Sequence, residues 1–375
     1  MKHLVTGAGL LALSVGASHA GGIERSTQSV GILFEQGTNY LELSYGRVRP
    51  SVKGTGLSNP FVPNSGAETG GIARNHYLPG ISYKHEFNDK WSIALIYDHF
   101  YGADVAYGLN GSSWLAGTEA NEQSEGYTAL LRYRIDGNWS VHGGIRMTDA
   151  SAFVQLGGAA YGPVAGYNAS FKNDWAMGYV GGIAYERPDI ALRVALTYQS
   201  KITHEFDTNE RMGATPVASG GTTEVDTPEA VTLDFQTGVA PDWLVYGSVR
   251  WVHWSQFQIK PDWFYGQTNR SLVEIDNSTT YTLGIGHKFN DSWSGSIFAT
   301  WETVTGDDLV TPFSPVQGYK GIGIAAVYTR GNMKITTGVR YLWLGDAYAQ
   351  TAGTARADFS DNYAVAAGVR VGFTF

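Results

Sequence analysis

The chain predicts an all-β fold: a transmembrane antiparallel β-barrel of about fourteen strands with a short N-terminal plug in its lumen. Three observations predict it. A terminal segment alternates strictly and ends on an aromatic residue, a turn motif recurs along the chain, and the composition is rich in glycine and aromatics but poor in charge.

In the segment from Asp361 to Phe375, Tyr363, Val365, Ala367, Val369, Val371, Phe373 and Phe375 share one parity. Small or polar residues, among them Asn362, Gly368, Arg370 and Thr374, hold the other. Successive strand side chains point to opposite faces, so one face is wholly apolar. A chain that stops on such a strand, with phenylalanine last, has the form of a bacterial outer-membrane barrel.

The turn motif is an apolar residue, two or three turn-forming residues and a tryptophan. It occurs at Phe87-Asn88-Asp89-Lys90-Trp91, Ile135-Asp136-Gly137-Asn138-Trp139, Val239-Ala240-Pro241-Asp242-Trp243 and Phe289-Asn290-Asp291-Ser292-Trp293. Arg187-Pro188-Asp189-Ile190 and Arg330-Gly331-Asn332-Met333 fill equivalent slots. Asn, Asp, Gly and Pro suit tight hairpin turns, and the tryptophans would ring one rim at the lipid–water interface. A repeat of roughly fifty residues also suits a propeller blade, but a blade needs four short strands per repeat. Here each interval holds two long alternating runs around one polar stretch, the barrel pattern of short turns at one end and long loops at the other.

The chain has 375 residues, with 48 Gly, 22 Tyr, 11 Trp, 16 Phe and only 16% charged residues. That is a low charge for a soluble domain and suits strands with one face in lipid. Cysteine is absent, which excludes disulfides, thiolate metal sites and a cysteine nucleophile. A net charge of -8 argues against a nucleic-acid partner.

Lys2 and His3 precede an apolar run from Leu4 to Val15, and Ser18-His19-Ala20 is a small-x-small cleavage site, so a signal peptide over 1–20 is expected to leave Gly21 first. The run is too short for a membrane anchor, and no later segment has the ~18 apolar residues of a helical span. The expected organisation is signal peptide 1–20, plug 21–38 and barrel 39–375. Ile23, Val30, Ile32, Leu33 and Phe34 in 21–38 would be wet on a dangling tail, which favours folding into the lumen.

Strands are expected at 39–53, 74–87, 91–107, 125–135, 139–156, 174–186, 191–206, 227–239, 243–259, 277–289, 293–305, 319–330, 333–347 and 361–375. Charges keep to one parity: Arg132 and Arg134 oppose Tyr127, Leu131 and Tyr133, and Lys334 and Arg340 oppose Ile335, Val339 and Tyr341. A cation facing mid-bilayer lipid would cost roughly 2–4 kcal/mol. Arg47 and Arg49 break the rule, sharing parity with Leu43 and Tyr45. Their place at the loop end of the strand puts them at the outer interface, near lipopolysaccharide phosphates.

Pro228-Glu229-Ala230-Val231-Thr232-Leu233, the turn Pro241-Asp242-Trp243 and the run from Tyr246 through Trp251-Val252-His253-Trp254 to Phe257 resemble the FadL/OmpP1/TodX family. Leu196-Thr197-Tyr198-Gln199-Ser200-Lys201-Ile202-Thr203-His204 is similar to that family's strand of the "LTYRSKIKH" kind, and Phe100-Tyr101-Gly102 sits where members have a kinked third strand. The resemblance spans essentially the whole mature chain. It departs from the family in a short N-terminal segment without an Asn-Pro-Ala motif and in a loop reduced to Thr311-Pro312-Phe313-Ser314-Pro315. The resemblance implies a plugged fourteen-stranded barrel that passes hydrophobic compounds, long-chain fatty acids first, from outer loops to an interior pocket and out through the wall.

On that reading Asp98, His99, Phe100, Tyr101 and Gly102 form a lateral gate; an ordinary strand with a packing glycine is the bland alternative. Ile23, Ile32, Phe34, Ile96, Val252, Trp254 and Phe298 line the ligand pocket, unless they only pack plug against wall. Arg146 and Arg250 are the inward cations placed to meet a carboxylate, unless neighbouring acids hold them. Leu57, Phe61, Val62, Phe153 and Leu156 form the outer capture groove. The expected partners are a hydrophobic small molecule (fatty acid or hydrocarbon), outer-membrane lipid with lipopolysaccharide, and the barrel-assembly machinery through the C-terminal strand. A monomer without nucleic acid, metal or cofactor is expected. No Gly-x-Ser-x-Gly or His-Glu-x-x-His pattern supports an enzyme. An aromatic-hydrocarbon channel, a diffusion porin for polar solutes and a purely structural barrel are the rival readings.

Overall fold

A computed structural model describes residues 23–375; the signal segment, its cleavage site after Ala20 and the first plug residues lie outside the described residues. Fourteen antiparallel strands close on themselves. They are β1 (Asn39–Ser51), β2 (His76–Glu86), β3 in two halves (Trp91–Asp98 and Gly102–Ala106), β4 (Glu119–Arg134) and β5 (Trp139–Gln155). There follow β6 (Tyr167–Arg187), β7 (Leu192–Gln199), β8 (Ala230–Ala240), β9 (Trp243–Val252) and β10 (Ser278–Lys288). The last four are β11 (Trp293–Val304), β12 (Tyr319–Arg330), β13 (Met333–Leu344) and β14 (Tyr363–Thr374). Closure is made by β1, which pairs with β14 on one side and β2 on the other. With the strands paired around the ring, the sheet has no free end strand facing lipid.

The periplasmic turns repeat one device. Asn88 Oδ1 accepts the N–H groups of Lys90 (2.9 Å) and Trp91 (3.0 Å). Asp136 Oδ1 does the same for Asn138 and Trp139 at 2.8 and 2.7 Å, and Asn290 Oδ1 for Ser292 and Trp293, both at 2.9 Å. Trp91, Trp139 and Trp293 thereby start their strands in one orientation, and they and Trp243 pack on an aromatic ring of the adjacent strand: Trp91 on Tyr133, Trp139 on Tyr185, Trp243 on His287 and Trp293 on Tyr328. A second ring, with Tyr45–Tyr77, Tyr127–Trp175, Tyr281–Trp301 and Tyr341–Tyr363 contacts, lies toward the loop end. Between the two rings Leu95, Ile145, Ile183, Leu283, Ile297, Ile324 and Val339 are exposed, as an apolar lipid-facing band requires.

Three expectations need correction. The run from 191 to 206 is two elements: β7 ends at Gln199, and Thr203–Met212 pairs with Thr215–Asp226 as a hairpin standing on the extended outer end of β6. The strand expected over 243–259 stops at Val252, so Trp254 lies in a short 3-10 turn. The strand expected over 91–107 is broken at His99–Tyr101. The outer loops also build a small sheet from Lys53–Gly56, Glu68–Gly71, Leu309–Val310, Ala347–Thr351 and Thr354–Phe359, and one short helix, α1 (Asp262–Thr268). No described helix is long and apolar enough to cross a membrane.

Candidate functional site

The break in β3 has a local cause. Phe100 turns onto Gly126 of β4, where an added Cβ would lie 2.3 Å from the Phe100 ring. Ser124 Oγ then accepts from Tyr101 N (2.9 Å) and donates to Tyr101 O (3.0 Å), replacing a lost ladder bond. The inner half of β3 pairs with both β2 and β4, whereas the outer half pairs with β4. The stretch His76–Gly80 of β2 keeps its pairing with β1 but has none toward β3. The wall is therefore unlaced between β2 and the break.

From inside, the N-terminal segment closes the seam. Glu24 forms a bridge with Tyr101; Arg25 N and Ser26 N donate to Phe100 O at 2.9 and 3.3 Å, and Gly102 N donates to Ile23 O at 2.9 Å. Ser26 Oγ donates to Asp98 Oδ2 at 2.5 Å. Glu24, fully buried, meets Arg250 of β9 at 2.5 Å, and Arg250 also donates to Gln199 Oε1 (2.9 Å) and Thr232 Oγ1 (2.8 Å). Farther along, Val30, Ile32 and Leu33 pack on Ala94, Leu130 and Val180. Arg132 donates to Leu33 O at 3.0 Å, Lys84 donates to Glu35 O, and Lys334 pairs with Glu35 at 2.6 Å. The Phe34 ring lies between the guanidinium groups of Arg132 (4.4 Å) and Arg193 (4.7 Å).

Among the described residues, four spaces lie within the barrel and its loops. An outer cavity of about 500 Å³ is lined by Leu156, Tyr161, Val164, Met212, Phe264 and Leu272. Burial pushes the Tyr161 phenol up, so it stays a neutral hydroxyl. Beneath the loops an apolar space of about 70 Å³ is bounded by Ile72, Val105, Phe313, Tyr319 and Leu342, with Arg25 and His76 at its polar end. A space of about 90 Å³ runs from Ser26, Ile32 and Asp98 past Pro79 to Tyr45 on the outer surface. The periplasmic mouth, about 550 Å³, is lined by charges including Glu35, Arg134, Glu186 and Arg193.

The chain over residues 30–305 matches the family model described as outer membrane protein transport protein (OMPP1/FadL/TodX). The chain belongs to this family. It is an outer-membrane transport channel for hydrophobic compounds, not an enzyme. It is 23% identical over 319 residues to a long-chain fatty acid transport protein of Escherichia coli O6:H1, covering 74% of this chain and 70% of that one. A Salmonella typhi long-chain fatty acid transport protein is 25% identical, covering 60% of this chain and 59% of that one. Among solved structures, a Pseudomonas aeruginosa FadL homologue superposes with a TM-score of 0.71 at 14% identity, covering 96% of this chain and 98% of that one. The toluene transporter TodX of Pseudomonas putida gives 0.61 at 14% identity, covering 92% of each.

Within this FadL-family barrel the five residues expected to form a gate span the break: Asp98 ends the inner half of β3, Gly102 starts the outer half, and Phe100 and Tyr101 are buried between them. Of the residues expected in the pocket, Ile32 and Ile96 line the lateral space. Ile23, Val252 and Trp254 pack with Phe100 and Tyr101. Phe298 packs with Leu244, Tyr246 and Val327, and Phe34 faces the periplasmic mouth. Arg250 is committed to Glu24, whereas Arg146 donates to Gln28 with its guanidinium 4.9 Å from the Phe100 ring, and its Nε is buried without a hydrogen-bond partner among the described residues.

The expected capture groove is also corrected. Leu156 is fully buried in the outer cavity and Val62 packs under the small outer sheet, whereas Leu57 and Phe61 are exposed on a loop and Phe153 is half-buried on the wall. The residue that sequence reasoning missed is Arg25. It borders both the apolar space and the lateral space, its Nε donates to Gly102 O at 2.8 Å, and no described carboxylate lies within ion-pairing distance. Nothing in local sequence distinguishes it from other charges in a polar stretch.

Proposed function

We propose that the protein carries long-chain fatty acids across the outer membrane by lateral exit, with residues 23–36 as the plug. The observation that carries this is the break in β3 closed from inside by the plug's backbone rather than by a neighbouring strand. Cargo enters the outer cavity, whose volume of about 500 Å³ falls within the roughly 300–1,000 Å³ of small-molecule sites. It then passes to the apolar space beneath, which at about 70 Å³ must widen to admit it. Plug movement at the break supplies that room and opens the wall at the same point. An alkyl chain gains about 0.8 kcal/mol per buried CH₂, so a route from greasy cavity to lipid avoids the cost of crossing the periplasmic water.

The polar lining favours an amphiphile over a plain hydrocarbon. Arg25, Ser26, Asp98 and His99 line the lateral space, and Arg25 gives a carboxylate a charge-assisted partner where the two spaces meet. Toluene offers the Arg25 guanidinium no counter-charge.

The test uses the chain's lack of cysteine. Glu24 and Tyr101 form a non-hydrogen-bonded antiparallel pair, which places their Cα atoms about 4.5 Å apart, within disulfide range. In the double variant Glu24→Cys/Tyr101→Cys, oleate uptake is expected to stop on oxidation and return on reduction. Equal uptake in both states removes the reading.

A further inference from the structure

The outer end of the wall carries its charges unevenly. Arg49 lies ten residues from the periplasmic start of β1, and Lys320 ten residues from the periplasmic end of β12. At ~3.3 Å per residue and ~40° of tilt, both stand about 25 Å above that rim, at the outer edge of the apolar band. Arg47 lies one outward position below Arg49, its guanidinium 5.4 Å from the Tyr77 ring. All three are exposed on the lipid-facing parity, and no described carboxylate pairs with any of them. At the same height beyond β3, β4 and β5 carry Glu125 and Asp149, directly opposite each other in register. Two other outer cations are matched, Lys172 with Asp207 and Lys201 with Asp226.

The unpaired cations sit in an aromatic frame. Lys320 is level with Trp343 and Tyr363 across β12, β13 and β14, and Arg49 is level with Val365 and Tyr341. Tyr341 stacks on Tyr363, and Tyr45 on Tyr77. Four strands at about 4.8 Å spacing set the cations across roughly 15 Å of wall. Such a strip offers two things together: point charges at headgroup height for phosphates, and aromatic edges just below for sugar and acyl chain.

We propose that the face over β12, β13, β14, β1 and β2 is a docking site for the phosphorylated glycolipid of the outer leaflet, with Arg47, Arg49 and Lys320 holding its phosphates. Charge complementarity selects this occupant. An acidic sector at the same level repels it, and a zwitterionic phospholipid would leave the cations uncompensated. The site flanks the lateral space, because Tyr45 and Val369 border both.

Native mass spectrometry on delipidated full-length barrel in detergent tests this with three lipids: bis-phosphorylated lipid A, its dephosphorylated form, and phosphatidylglycerol. Each cation at an anionic surface contributes about fivefold, so the wild-type chain should retain the phosphorylated glycolipid roughly 100-fold better than the dephosphorylated one. That comparison needs no substitution. The variant Arg47→Gln/Arg49→Gln/Lys320→Gln should retain both equally, with heat-modifiable gel mobility reporting that the barrel has folded, while Glu125→Gln leaves binding unchanged. Equal retention of both glycolipids by the wild type, equal retention of phosphatidylglycerol, or loss only on chelating divalent cations would each overturn the assignment.

Discussion

The two ends of the plug are held in different ways. At the periplasmic end, side chains from three separate strands fasten it: Lys84 of β2, Arg132 of β4 and Lys334 of β13 all bond to Leu33 or Glu35. At the outer end the fastening converges on one broken strand: three backbone bonds to Phe100 and Gly102, side-chain bonds of Arg25 to Gly102 O and of Ser26 to Asp98, and a single buried ion pair behind it. Unpartnered polar atoms gather there among the described residues, with His76 Nε2, Asp98 Oδ1 and Glu122 Oε2 buried and unbonded. Charged bonds spread over several strands resist a local opening, whereas a short ladder along one strand can release residue by residue. On the proposed lateral route, this difference makes the side of the barrel, not its floor, the part that opens.

The strongest way to break that contrast is Arg250→Met. It leaves Glu24 buried without its partner, which costs about 3–5 kcal/mol. The outer end of the plug is expected to leave the break, and single-channel recordings should show a persistent open level. Unchanged conductance would mean the ion pair does not hold the seam.

Arg132→Met removes one charged bond to the plug, worth about 1.5–3 kcal/mol, together with its contact on the Phe34 ring and its pair with Glu186. With Lys84 and Lys334 still in place, liposome swelling with sugars should stay near the wild-type rate. Fast swelling would reverse the comparison by making the floor the weaker end. Gly126→Ala sharpens the seam itself, since the new methyl would displace the Phe100 ring at about 1–3 kcal/mol. Oleate uptake should change severalfold with little shift in thermal stability, and the effect should disappear in Gly126→Ala/Phe100→Ala.

The smallest effect lies outside both ends, in the turns. Asn290→Ala removes two hydrogen bonds from an exposed turn and should lower stability by about 1 kcal/mol at any pH. Asp136 differs because the N–H groups of Trp139 and Asn138 hold its carboxyl below the usual range. Its contribution is full above the ordinary carboxylate pKa and is lost as pH falls through the lowered one. Asp136→Ala should therefore match wild type in acid and fall behind it above about pH 5. A pH-independent difference in urea unfolding would show that the carboxylate charge is not what the turn uses.

Much of the barrel was legible because its rules are local. Strand parity follows from the two-residue pleat and the Trp-bearing turns from Asx geometry, so strands such as β12, expected and found at 319–330, needed no partner to be recognised. The hairpin Thr203–Met212/Thr215–Asp226 was not legible, because its alternation continues that of β7 and only the separation at Ser200–Ile202 divides them. Of the candidate site, the break at Phe100 was readable as a resemblance, but its cause on Gly126 was not, since the two lie on different strands.

Sequence alone decided that this chain becomes a closed cylinder with a greasy exterior, because every strand repeats the same alternation and a buried cation on the wrong face is too costly to recur. Which interior charges meet was left to the tertiary structure. Glu24 finds Arg250 across 226 residues, and no described carboxylate pairs with Arg25, because ring closure and the path of the plug set those distances and no local pattern encodes them.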